Sequence, residues 1–184
     1  PSIRESIKEY SSQYDIFAVF FDYLAPNGCL SSQMIAEYKN FIPDHQVLLM
    51  ASEALKLYAE EFDVYICTGM QLNDTIKTIE FADESTLSAS KAVKNKLDGG
   101  CIVTYPKKKE LKEVQSLLEK RGFGEKLKPN RVAHMFKGRF NSTGYDRVKI
   151  FQYADLGTGR VIDLFCTDEH NNFINIDKTM VKEE

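Results

Sequence analysis

GGCIVTYPKKKELKEVQSLLEKRGFGEKLK, residues 99–128, is the stretch from which the fold can be read. Residues 101–105 form a short apolar, β-branched run between Gly99-Gly100 and Pro106, which predicts a buried strand. Pro106 has no amide hydrogen to give a sheet ladder, so the strand ends there. Leu111, Val114, Leu117 and Leu118 then recur at helical spacing, and Arg121-Gly122 supplies a basic last turn and a glycine stop. A strand running straight into an amphipathic helix opens a β-α unit.

Toward the C-terminus the pattern changes to short strand candidates at 132–136, 148–153, 161–166 and 173–176. Leu156-Gly157-Thr158-Gly159 joins two of them, so residues 147–166 are expected to form a hairpin. Toward the N-terminus, Ser2-Ile3-Arg4-Glu5 has capping-box spacing and starts a helix with Ile3, Ile7 and Tyr10 on one face. Residues 16–24 read as a strand, with a continuation of that helix as the competing reading. Pro26-Asn27-Gly28 is a turn, and Ser31 or Ser32 caps a helix that Pro43 breaks. A long helix over 45–62 follows, then a strand at 64–67 and a helix over 85–97 stopped by Asp98-Gly99-Gly100. Residues 71–81 fit neither period. Early helices and a late meander define an α+β protein. A helical N-terminal half, residues 1–98, is expected to pack on a mainly antiparallel sheet in residues 99–184, entered through the β-α unit.

The 184 residues suit a single domain with a core large enough to need neither metal nor disulfide. With 43% hydrophobic and 28% charged residues, the composition is that of a folded globular chain and excludes a disordered one. The longest apolar run, residues 16–21, is too short to span a bilayer, and no basic-then-apolar leader opens the sequence. No membrane partner is expected. Cys29, Cys67, Cys101 and Cys166 lie far apart with no Cys-x-x-Cys. Reduced, buried thiols and a cytoplasmic setting follow, with Cys101 and Cys166 expected in adjacent parts of the sheet.

Charge is where the sequence points to a partner. Residues 100–150 hold thirteen Lys and Arg against five Asp and Glu, a net of +8, whereas residues 1–99 carry −7 and residues 151–184 carry −4. Segregation of this kind bears on partners and not on fold. Lys107, Lys108, Lys109 and Lys112 open the central helix, where cations oppose the helix dipole. Free amides beside them would suit phosphate, while a solvated lysine cluster is the plain alternative. In AHMFKGRFNSTGYDRVK, residues 133–149, His134, Lys137 and Arg139 alternate with Phe136, Phe140 and Tyr145. Cations interleaved with aromatics suit a single-stranded nucleic acid, and a strand with one greasy and one charged face gives the same pattern.

Other motifs fail. Arg121-Gly122-Phe123-Gly124 opens an RNA-recognition signature, but Glu125, Lys126, Leu127 and Lys128 lack its stacking aromatics. His45, His134 and His170 have no zinc-ligand spacing with the cysteines, and Gly157-Thr158-Gly159 precedes no helix that could cradle a phosphate. No cofactor and no metal are expected.

The function that follows is a polyanion-binding module, for RNA or DNA, acting through Lys107, Lys108, Lys109, Lys112, Arg131, Lys137 and Arg139 as one continuous basic surface. A protein-interaction or regulatory domain is the alternative, its basic middle neutralised internally by its acidic half or meeting an acidic protein surface. A small hydrolase, built on a Cys-His pair or on acidic metal ligands, is a third. Oligomeric state, ligand and the presence of any enzymatic activity stay open at this stage.

Overall fold

The computed structural model describes residues 2–25, 42–72, 79, 81–86, 93, 95–120, 122, 127–138 and 147–175. It combines helices with an antiparallel sheet of five strands, the α+β class expected from the sequence. The chain divides into two compact units, residues 1–76 with 84–97, and residues 77–83 with 98–184.

In the first unit, helix α1 (Ile3–Ser11) begins with the expected capping box: Ser2 Oγ accepts from the Glu5 amide and the Glu5 carboxylate accepts from the Ser2 amide. Strand β1 (Ala18–Leu24) bears out a strand here and not a helix continuation, beginning two residues later than expected. It runs parallel to β2 (Tyr65–Met70), with Ala18 opposite Tyr65 and Phe20 opposite Cys67. Between them in the chain lies α2 (Asp44–Phe62), which ends at Asp63 in the left-handed region. Leu24, Leu48, Leu55 and Val93 form the buried cluster of this unit. The helix expected over 31–42, and most of that expected over 85–97, fall outside the described residues; Glu84–Thr86 form one 3-10 turn.

The second unit is the β-α unit and meander. Strand β3 (Gly99–Thr104) leads through Pro106 into α3 (Lys108–Glu113) and α4 (Gln115–Lys120), two short helices divided at Val114 where one was expected. Gly122 follows in the left-handed region, as a glycine helix stop requires. Strands β4 (Arg131–Gly138), β5 (Val148–Asp155), β6 (Arg160–Thr167) and β7 (Phe173–Ile174) complete an antiparallel sheet in the order β3-β4-β5-β6-β7. The turn at Leu156–Gly159 joins β5 to β6 as expected. The Asp155 carboxylate closes it by accepting from the Gly157 amide and the Thr158 hydroxyl, which hold its pKa below the usual carboxylate value.

Alternation gives the sheet two faces. Val132, Phe151 and Phe165 point to one face and pack with Val114, Leu118 and Leu164 into the buried core, Phe151 and Phe165 stacking at 4.8 Å. Cys101, Val103 and Tyr105 point to the other, and all three are exposed. The expectation of two buried, neighbouring thiols is therefore half corrected: Cys166 is buried, but Cys101 is exposed on edge strand β3, with β4 and β5 between it and β6. Cys67, Cys101 and Cys166 are free thiols.

A register shift lies between Gly100 and Cys101, opposite Phe136. A Cβ on Gly100 would fall 2.4 Å from the Phe136 ring, so the glycine is what lets this buried aromatic cross the strand. Gly100→Ala is expected to cost ~1–3 kcal/mol through overpacking. Urea unfolding in a Phe136→Leu background should show a smaller cost for the same change, because the ring it collides with is gone.

Candidate functional site

Period two decides which polar side chains the sheet buries. Ile102, His134, Lys149 and Thr167 lie in one row across β3, β4, β5 and β6, all on the face that carries the core. All four are buried, Lys149 to 1% exposure. A lysine so placed needs an acid and further acceptors, because a lone buried ammonium is very costly. Glu110 of α3 provides the acid: its Oε1 lies 2.9 Å from Lys149 Nζ, and Asn171 Oδ1 accepts a second bond at 3.1 Å. The other Glu110 oxygen accepts from the Lys107 amide, and Asn171 Nδ2 donates to Glu113. Helix α3, strand β5 and the loop 168–172 are thereby tied into one polar cluster.

His134 completes the cluster. Its Nδ1 accepts from the Ala82 amide at 3.3 Å, which places the ring proton on Nε2, where it donates to Thr104 Oγ1 at 3.0 Å. The Phe81 ring meets the imidazole edge-on at 5.2 Å. Burial, opposed by the Glu110 carboxylate and reinforced by Lys149 and Lys107, pushes its pKa down from 6.5 to about 4. The histidine is thus a neutral core residue and does not belong to a nucleic-acid surface as its sequence setting suggested. With both ring nitrogens taken, it makes no Cys-His nucleophile pair. No buried side-chain polar atom lacks a partner among the described residues, and no three His, Cys, Asp or Glu gather there as a metal site would need.

The sequence-derived basic residues separate into three groups. Lys107 turns its ammonium onto the Ile79 carbonyl. Lys108, Lys109 and Lys112 are exposed on α3, Lys109 at 3.8 Å from Glu113. Lys108 and Lys112, four residues apart, share one stripe of that helix. The first free amide of the helix, that of Lys107, is occupied by Glu110, so the anticipated phosphate cradle of open amides is already filled there. Arg131 sits at the start of β4, its guanidinium 4.2 Å over the Tyr105 ring and donating to the Asn130 carbonyl at 2.7 Å. Lys137, half-buried, pairs with Gly100 at the far end of the same strand, roughly 20 Å from Arg131 at the ordinary strand rise. Arg139, Phe140 and Tyr145 lie outside the described residues. Lys108, Lys109 and Lys112 thus share α3, which packs on the core face of the sheet, whereas Arg131 points to the other face with Tyr105 and Lys137 lies at the far end of β4.

Sequence reasoning missed Lys149 and Tyr105. For Lys149 a signal existed: it shares parity with Phe151 in a run that otherwise reads as core. Tyr105 was absorbed into the strand as an apolar residue, yet it is 73% exposed.

The fold and site define an α+β protein whose antiparallel sheet is braced by a buried ion pair and flanked by exposed cations. No family model matches the chain. It is 32% identical over 184 residues to the SPbeta prophage-derived uncharacterized protein YorI of Bacillus subtilis (strain 168), a match that covers 98% of this chain and 36% of the relative. The chain thus spans about a third of the length of the relative it matches. No helix among the described residues is long and apolar enough to cross a membrane.

Two outcomes follow from the cluster. Lys149→Met leaves Glu110 charged and buried, and should destabilise by ~3–5 kcal/mol. Adding Glu110→Leu should recover most of that loss in guanidinium unfolding, since neither charge is then stranded. The second concerns pH. The folded-state pKa of His134 lies below its unfolded value, so its contribution is complete above pH 6.5 and is lost as pH falls toward 4. The decline amounts to ~3 kcal/mol. Stability measured between pH 6.5 and 5.5 should fall in the parent and stay flatter in His134→Gln, because the lowered carboxylates Glu5, Glu61, Asp155 and Asp168 lose their contributions only below that window.

Proposed function

We propose that this protein is a nucleic-acid-binding module that holds RNA or DNA through the cations around the end of β3. The observation that carries the reading is the contrast between inward and outward cations in one basic segment. Lys149 and Lys107 are bonded inside the unit, to Glu110 and to the Ile79 carbonyl. Lys108, Lys109 and Lys112 stand exposed on a helix that the buried Glu110–Lys149 pair fixes in place. Lysines held exposed on a rigid element suit a phosphate chain better than they suit the fold. They contribute little stability where they are, since exposed ion pairs such as Lys109–Glu113 are worth at most about 1 kcal/mol.

One observation favours the alternative of internal neutralisation. Arg147 lies 3.6 Å from Asp83 and 2.9 Å from Glu169, acids that flank the basic segment on either side. That accounts for Arg147, and the regulatory or protein-interaction reading would extend it to the α3 lysines. The two readings part on one variant. Lys108→Gln/Lys109→Gln/Lys112→Gln should weaken binding of a labelled mixed-sequence oligonucleotide almost equally for every sequence. It should also flatten the slope of log affinity against log salt by up to about three. Thermal stability should barely change. A parent protein that binds no oligonucleotide at low salt, or a triple variant with an unaltered slope, rules the reading out. Lost stability with no change in binding supports internal neutralisation.

A further inference from the structure

Tyr105 is among the most exposed large side chains of the second unit, at 73%, and it stands directly after edge strand β3. An exposed tyrosine ring is ordinarily free to turn. This one is held. The guanidinium of Arg131 lies 4.2 Å from the ring centroid, on the same face of the sheet by strand parity. Arg131 is itself positioned by its bond to the Asn130 carbonyl at 2.7 Å. The Asn130 side chain in turn closes two bonds of 2.8 Å with the backbone of Ala154 on β5, one as donor and one as acceptor. A chain of contacts thus runs from the middle of the sheet to the ring and sets its plane, while one ring face meets a cation and the remaining ring surface meets solvent.

Fixing an aromatic plane in water has no value for packing. It does suit a flat partner, and the cations nearest in the chain and across the strand say which kind. Lys108 follows Tyr105 by three residues, so their Cα atoms lie within roughly 11 Å. Lys109 and Lys112 continue along α3, and Val103, 52% exposed, continues the apolar stripe along β3 from Tyr105. A ring capped on one face by a guanidinium, and three residues before the first exposed lysine of α3, matches a base with its phosphate to one side. A duplex hides its base faces within its own stack, so it can reach the lysines and leave the ring unused.

From this we infer that Tyr105, positioned by Arg131, is a base-stacking platform and that the site takes single-stranded nucleic acid. This deepens the function proposed above and rests on it. Stacking on every base face alike gives little sequence preference, so the platform sorts strands by whether their bases are unpaired.

The test uses the chain as it stands, with three probes of equal length: a mixed-sequence single strand, its duplex, and a strand of abasic residues carrying the same phosphates. Tyr105→Ala should weaken single-strand binding by about 5- to 100-fold with an unchanged salt slope, and Tyr105→Phe should restore it. Neither variant should alter binding of the duplex or of the abasic strand. Arg131→Lys keeps the charge but not the flat guanidinium, and should lie between the parent and Tyr105→Ala on the single strand. The exposed position makes unfolding by these changes an unneeded explanation, and a circular dichroism melt on each variant checks it. If Tyr105→Ala binds the single strand like the parent while the triple lysine variant loses affinity, the stacking inference falls and the nucleic-acid reading stands. If Tyr105→Ala weakens all three probes equally, the ring acts through structure and the inference falls too. If the parent binds none of the probes at low salt, both fall together.

Discussion

Lys149 carries its ammonium into the covered face of the sheet, and much of the second unit is arranged around satisfying that group. Burial strips the charge of water, at a penalty that only a close acid and further acceptors can offset. Glu110 comes from the helix, Asn171 from the loop after β6, and both are engaged elsewhere as well, Glu110 with the Lys107 amide and Asn171 with Glu113. Moving α3 by even a few tenths of an ångström would lengthen several of these bonds at once. The purely apolar half of the same face, where Val114 and Leu118 meet Val132 and Phe151, could tolerate sliding; the ionic half cannot. Direction comes from the charges and most of the driving force from the hydrocarbon.

That division explains how residues of one type come to do different things. Lys107, Lys108, Lys109 and Lys112 are nearly contiguous, yet one bonds an internal carbonyl and the others face water. Composition counts all four as equal. Geometry does not, because Lys107 precedes the first helical turn, where the chain is still leaving the sheet and its side chain points back to Ile79. Likewise His134 and Lys137 look like members of one basic run, but three positions along β4, with a register shift between them, turn one into the core.

Local order was legible where a single period or a single stereochemical rule decides. The capping box at Ser2, the hairpin about Leu156–Gly159, the glycine stop at Gly122 and the strands of the meander all come from rules that need no tertiary partner. The break at Val114 was not legible, since its apolar positions continue at helical spacing through it. Exposure of Cys101 was not legible either: a β-branched run reads the same on an edge strand as on a central one, and only the sheet order tells them apart. The buried pair needed two residues 39 apart in sequence to be recognised as partners, and a charge at an inward strand position hints at such a partner without naming it. The candidate site therefore emerged from the sequence as a charge excess and from the structure as particular side chains.

The same geometry limits how the cations can act together. Lys149 and Glu110 cancel within 2.9 Å, so beyond the cluster their combined field is weak. What a polyanion would meet is the field of the exposed groups, screened over about 8 Å at physiological salt. Lys108 and Lys112 are about 6 Å apart along the axis of α3 with Lys109 between them, so their potentials overlap. Lys137, at the other end of β4, is separated from Arg131 by more than twice the screening distance and adds to its field only when salt is low. A net charge of +8 over residues 100–150 thus overstates the charge any one ligand would experience. For such a ligand the charge that counts is that of the exposed lysines sharing α3, and not the sum over the segment.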